Sequence, residues 1–153
     1  MHVLVTGGAG YIGSHTCLAL LQQGHDVTVV DNLCNSSVRS LERVQSLAGK
    51  SLEFYQGDVR DQAFLDRIFG IRAVDCVIHF AGLKAVGESV AKPWMYYDNN
   101  LQSTLALTKV MDRWDVRKLI FSSSATVYTA GSEMPLKETS PTGGCTNPYG
   151  WTK

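Results

Sequence analysis

The sequence predicts an α/β fold with a doubly wound parallel sheet, on three observations. Short apolar segments of strand length alternate with longer helix-like segments throughout the chain. The first strand-like segment, Val3-Leu4-Val5-Thr6, runs straight into glycines at 7, 10 and 13. The second, Val27-Thr28-Val29-Val30, is followed directly by Asp31. Alternation of this kind specifies a parallel sheet covered on both faces, with ligands held beyond the C-terminal strand ends.

The elements follow in order. Val3 to Thr6 is Val-rich with no period of 3.6, as in a buried parallel strand. A helix-like stretch then runs from Tyr11 to Gln23, and Asp31 closes the second strand. Asn35, Ser36 and Ser37 offer turn and capping chemistry before a helix over Val38 to Leu47, with Gly49 past its end. Leu52 to Gln56 is a third strand closed by Gly57-Asp58. Asp61 is placed to cap a helix reaching Ile68 and stopped by Gly70. Val74 to Phe80 is apolar enough to be central, and it opens into Ala81-Gly82-Leu83-Lys84. Pro93 starts a long helix that reaches about Trp114, and Lys118 to Ser122 is the fifth strand. Ala130 to Pro148 is expected to be a long loop.

Size and composition bound the function. With 153 residues there is room for one domain, assigned to residues 1–153. Lys and Arg number 14 against 14 Asp and Glu, with no long run of either sign, so nothing points to nucleic acid or an anionic membrane. The apolar stretches are strand-sized, and a signal peptide is not expected. Cys17, Cys34, Cys76 and Cys145 form no C-x-x-C pair, and the four histidines form no ligand pattern. A cytoplasmic protein with free thiols and no metal site is the simplest expectation.

The chemistry gathers at the strand ends. Gly7, Gly10 and Gly13 supply a tight turn, a backbone bare enough to touch a pyrophosphate, and close helix–strand packing. An acid at the position of Asp31 accepts hydrogen bonds from an adenosine ribose and repels a 2′-phosphate, which favours NAD over NADP. Taken singly, the loop could be ligand-free, and Asp31 or Asp58 could be a turn residue. At the other end stands Tyr149-x-x-x-Lys153. On a helix that spacing stacks phenol and ammonium on one face, where the charge favours the phenolate.

Together, Thr6-Gly7-Gly8-Ala9-Gly10-Tyr11-Ile12-Gly13, the serine-rich strand end and Tyr149-x-x-x-Lys153 resemble the extended short-chain dehydrogenase/reductase superfamily. Four stretches, Asp31 to Ser36, His79 to Ser89, Tyr96 to Asn100 and Phe121 to Tyr128, are similar to the UDP-glucose 4-epimerases, also called UDP-galactose 4-epimerases. The resemblance implies a Rossmann-type NAD-binding domain and NAD as a tightly held cofactor. Tyr11 and Ile12 would meet the pyrophosphate through backbone N–H groups. Asp31, Asn32, Leu33, Cys34, Asn35 and Ser36 would hold the adenosine ribose, and Asp58 with Val59 would flank the adenine. Phe80, Ala81, Gly82, Leu83 and Lys84 would meet the cofactor beyond the fourth strand, with Asn99 nearby. Tyr149 would take the proton of the sugar 4-hydroxyl, Ser124 would hydrogen-bond that oxygen, and Lys153 would hold the nicotinamide ribose and keep the phenol's pKa low. Lys84, Ser124 and Tyr149 would also face the substrate.

The implied reaction interconverts UDP-galactose and UDP-glucose by reversible hydride transfer at C4 through a 4-keto intermediate, a step of galactose metabolism. The related 4,6-dehydratases carry an acidic pair where this chain has Ser124-Ala125-Thr126, so water elimination lacks its carboxylate. Thr129 departs from the glycine usual in that family, and Trp151 is an unusual residue inside the Tyr-x-x-x-Lys motif. Family members are longer and add a lobe for the UDP moiety, so the resemblance implies a domain truncated before the last strands and that substrate lobe, inactive alone. Two other readings stay open: another enzyme on nucleotide sugars, such as a decarboxylase or reductase, and a non-catalytic NAD-binding module. The stretch around 93–114 admits a homodimer interface, and packing on its own sheet is the alternative.

Overall fold

A computed structural model describes all 153 residues. The elements in chain order are β1 (His2–Thr6), α1 (Tyr11–Gln22), β2 (Asp26–Asp31), α2 (Val38–Ala48), β3 (Glu53–Gln56), α3 (Gln62–Ile71) and β4 (Cys76–His79). They continue with α4 (Val86–Ala91), α5 (Pro93–Tyr96), a π-helical turn (Tyr97–Leu101), α6 (Gln102–Arg113), β5 (Leu119–Phe121), a 3-10 turn (Ala125–Val127) and α7 (Pro148–Trp151). The chain divides into two compact units. One comprises Met1–Ala81 and Ser103–Phe121, the other Gly82–Gln102 and Ser122–Lys153.

The first unit carries a five-stranded sheet of order β3-β2-β1-β4-β5, parallel throughout. Successive strand residues point to opposite faces. Val3, Val5, Val27, Val29 and Ile78 join Cys17 and Leu21 of α1 and Leu41 and Val44 of α2 on one face. Leu4, Val30 and Val77 join Leu65 and Phe69 of α3 and Leu107 and Val110 of α6 on the other. Helix spacing explains the assignment, since Gly13, Cys17 and Leu21 recur every four residues along the buried side of α1. Burial also pushes the Cys17 thiol up to about 12, which makes it a core group and not a reactive one. The strand order reverses between β1 and β4, which is where such folds bind their ligands.

The caps behave as expected from sequence. Ser37 Oγ accepts the Arg39 N–H ahead of α2, Gly49 closes that helix at φ 62°, and Asp61 caps α3 by accepting the Phe64 N–H. Gly70 does not stop α3, which runs on to Ile71. A Cβ on it would stand 3.3 Å from the Trp114 ring, which would have to shift by a few tenths of an ångström to admit it. β4 is narrower than the apolar run, since the N–H groups of Phe80 and Ala81 both turn back to the Thr6 carbonyl.

The second unit departs further from expectation. α4 falls where no helix was expected, and the long helix expected from Pro93 is interrupted by the π turn at Tyr97–Leu101. The loop after Tyr128 holds an antiparallel bridge between Tyr128 and Thr142. Thr129 does not adopt positive φ, so a β-branched residue is no burden there.

Candidate active site

In the first unit the chain turns at Gly7, at φ 72°, where a Cβ would stand 2.6 Å from the Ala81 nitrogen. At Gly13 a Cβ would run into the Gly7 carbonyl oxygen and come within 2.8 Å of the Gly8 Cα. Only bare backbone fits at both places, so the start of α1 is drawn against the loop. No side chain caps α1. Its N-cap Gly10 is extended, and the first helical bond runs from the Ser14 N–H to the Gly10 carbonyl. The N–H groups of Tyr11, Ile12 and Gly13 therefore remain for a ligand at the positive end of the helix dipole, while the Tyr11 side chain is 76% exposed. A cradle of this kind fits a pyrophosphate.

Asp31 has a second task that its strand-end position did not announce. Its Oδ2 accepts the Ala9 N–H at 3.0 Å, and its Oδ1 accepts the Leu33 N–H and the Ser36 hydroxyl, each at 2.9 Å. The carboxylate, 7% exposed, thus ties the glycine loop to the turn after β2. A carboxylate offers about four acceptor sites, so one stays open to a ribose hydroxyl. The turn beyond is tight: Leu33 has φ 60°, and Asn32 Oδ1 accepts the Cys34 N–H. Asn32, Cys34 and Asn35 are exposed. Asp58 is engaged by Arg60, whose guanidinium holds its carboxyl below the usual range, and the Val59 side chain belongs to the core.

In the second unit, α7 presents Tyr149. Lys153 lies past the end of α7 and not on its face, yet its Nζ comes to 6.0 Å from the Tyr149 ring centroid and donates to the Ser122 carbonyl at 3.1 Å. Burial pushes the Lys153 ammonium's pKa down. The described partners of Ser124 Oγ are the N–H and the hydroxyl of Thr126, at 3.2 and 3.0 Å. Both donate to Ser124, so its own proton is left for an oxygen outside the turn. Gly82 and Leu83 meet this cluster. Asn100 Oδ1 accepts the Leu83 N–H at 2.8 Å, and its Nδ2 donates to the Leu83 carbonyl and to Thr152 Oγ1, both at 2.9 Å. A Cβ at Gly82 would stand 3.2 Å from Asn100 Oδ1 and 3.5 Å from Lys153 Nζ. Lys84 is exposed, and Asn99 is half-buried in the π turn.

Residues 3–153 match the NAD dependent epimerase/dehydratase family. The chain belongs to that family. It is 53% identical over 152 residues to a UDP-glucose 4-epimerase of Neisseria meningitidis serogroup A, covering 99% of this chain and 45% of the relative. A Bacillus subtilis UDP-glucose 4-epimerase is 54% identical, with 100% and 45% covered. Among solved structures, a UDP-glucose 4-epimerase of Bifidobacterium longum in complex with NAD+ and UDP superposes with a TM-score of 0.98 at 60% identity. That match covers all of this chain and 46% of the other. The chain thus spans a little under half the length of these relatives.

Several residues of this epimerase/dehydratase fold escaped the sequence reading. Asn100, buried beside the expected Asn99, is the one that joins Leu83 to Thr152. An Asn pair inside a helix is the visible signal, since Asn is a poor helix former that wants backbone partners. His79 stood at the head of a family-like stretch with no role assigned to its side chain. It is 1% exposed, with Nδ1 2.6 Å from Thr6 Oγ1 and Nε2 3.2 Å from Thr104 Oγ1. Ser89 and Tyr96 hold Tyr149 from α4 and α5, a contact invisible in one dimension.

Proposed function

We propose that residues 1–153 are the NAD-binding domain of an enzyme that interconverts UDP-galactose and UDP-glucose by inverting C4. The observation that carries this reading is the cluster of Tyr149, Lys153 and Ser122 in a unit whose Gly82–Leu83 backbone is clamped by Asn100. The relatives, named as UDP-glucose 4-epimerases, support the substrate class. NAD, when bound, supplies a reversible hydride acceptor at C4, so the sugar passes through a 4-ketone and returns in either configuration.

The chain's own residues supply the rest. The N–H groups opening α1 bind pyrophosphate, and Asp31 accepts from a ribose hydroxyl while its charge disfavours a 2′-phosphate. Phe80, Ala81, Gly82, Leu83 and Asn99 line the remainder of the cofactor's path, with Asp58 and Val59 at the adenine. Tyr149 moves the proton of the sugar 4-hydroxyl, and Ser124, turned into a donor by Thr126, hydrogen-bonds that oxygen. Lys153 holds the nicotinamide ribose, and Lys84 extends toward the sugar nucleotide. The 3-10 turn at Ala125–Val127 carries no carboxylate, which disfavours dehydration. A homodimer is supported by the exposed apolar residues Val90, Trp94 and Met95 of the second unit.

The test is conversion of UDP-galactose to UDP-glucose with no change in free NADH, run on the full-length enzyme and its Tyr149→Phe variant. The variant is expected to keep bound NAD and to lose about a hundredfold or more in kcat, as for removal of a general acid–base group. Undiminished turnover would remove Tyr149 from its role. Net NADH release would instead favour a decarboxylase or reductase on the same class of substrate. Residues 1–153 assayed alone are expected to show no turnover.

A further inference from the structure

We propose that Ser89 is a positioning residue for Tyr149, holding the tyrosine's backbone from a neighbouring helix. The proposal rests on the catalytic reading of Tyr149 given above. α7 has only four residues, too short to stabilise itself, and its first-turn N–H groups lack partners inside the helix. The Gly150 N–H is taken locally, by Asn147 Oδ1 at 2.8 Å, and the Trp151 N–H makes the first helical bond, to the Asn147 carbonyl at 3.4 Å. The N–H of Tyr149 goes elsewhere. It donates to Ser89 Oγ at 3.1 Å, across 60 residues of sequence.

Ser89 is built for that one contact. It is fully buried at 0% exposure, and its own hydroxyl donates to the Val86 carbonyl at 2.6 Å. With its proton committed inside α4, the oxygen can only accept at the other end. α4 is itself anchored, since the Tyr96 hydroxyl accepts the Ala85 N–H at 3.1 Å and donates to Glu88 Oε2 at 3.0 Å. The Tyr96 ring, 0% exposed, then meets the Tyr149 ring edge-on, with centroids 6.5 Å apart and planes at 84°. Backbone and ring of Tyr149 are thus both set by α4 and α5, neither of which contributes a proton-transfer group to the proposed reaction. The phenol's aim depends on where this four-residue turn sits, and α7 alone does not determine that.

The experiment uses the full-length enzyme with Ser89→Ala, Ser89→Thr, Tyr149→Phe and the Ser89→Ala/Tyr149→Phe double variant. Proton transfer tolerates little misplacement, so Ser89→Ala should lose about tenfold to a hundredfold in kcat. Its KM for UDP-galactose and its NAD content should stay close to the parent's, while the melting temperature falls by a few degrees because a buried N–H is left unpaired. Ser89→Thr, which keeps an accepting hydroxyl, should recover most of the loss. In the Tyr149→Phe background Ser89→Ala should cost nothing more, because it acts only through the tyrosine. Wild-type kcat in Ser89→Ala overturns the proposal. So does loss of bound NAD or of folded enzyme at the assay temperature in step with kcat, or an undiminished effect in the double variant. If Tyr149→Phe itself stays fully active, the catalytic reading falls and takes this proposal with it. A dead Tyr149→Phe beside an active Ser89→Ala overturns the positioning role alone.

Discussion

Gly13 has an ordinary helical conformation, and space alone excludes a side chain there. A Cβ would collide with the Gly7 carbonyl and approach Gly8, so the loop and α1 would have to separate. Gly24 is the opposite case: its φ of 85° strains any other residue, but nothing lies within 4 Å of an added Cβ. Gly13→Ala should therefore weaken NAD binding at least about tenfold and cost about 1–3 kcal/mol through overpacking. Gly24→Ala should lower stability by about 1 kcal/mol and leave NAD affinity unchanged. Calorimetric titration with NAD beside thermal melts separates the two, and equal loss of affinity in both would show that the cradle argument is wrong. Asp31 adds a related lesson. Its reach to Ala9, Leu33 and Ser36 makes it a brace for this same loop.

At the scale of elements, α3 shows what local signals can carry. Asp61 accepts the Phe64 N–H at 3.0 Å, and Leu65, Ile68 and Phe69 face the core. Asp61→Ala removes the cap and should cost about 1 kcal/mol, seen as a melting temperature lower by about 2–4 °C; no shift would mean that solvent caps the helix equally well. Elements of this type were legible in the sequence because cap and periodicity lie within a few residues of one another, although Gly70 does not close α3. β1, α1, β2 and Asp31 were legible for the same reason. The interval from Val86 to Arg113 was not. α4 was not expected, and the stretch from Pro93 to about Trp114 reads as one helix, but a π turn at Tyr97–Leu101 accompanies burial of Asn100, whose partners Leu83 and Thr152 lie 17 and 52 residues away. The candidate site divides the same way. Tyr149, Lys153 and Ser124 were visible as motifs, whereas the roles of Ser89, Tyr96 and Asn100 depend on contacts between distant segments.

At the scale of the whole molecule, charge balance directs attention to how stability responds to acid. The chain carries 14 positive and 14 negative side chains, so no net repulsion drives it apart near neutrality. Several carboxyls are held by cations across element boundaries. Hydrogen bonds from Lys50, then Arg72, hold Asp26 below its ordinary value of 3.8, tying the start of β2 to the residues after α2 and α3. Arg113 does the same for Asp66, linking α6 to α3, and within the loop after β3 Arg60 holds Asp58 in the same way. In each case the folded pKa lies below the unfolded one, so the unfolded chain binds more protons as acid is added. The stabilisation is therefore complete above about 3.8 and is lost as pH falls through the lower folded values. These groups are exposed or mostly so, which makes each contribution small and sensitive to salt. The urea midpoint of the chain should thus stay level between pH 6 and 5 and fall below about pH 4. Salt near 1 M should shrink that fall by screening the pairs. A midpoint that drops equally in low and high salt would mean that the acid sensitivity does not come from these ion pairs.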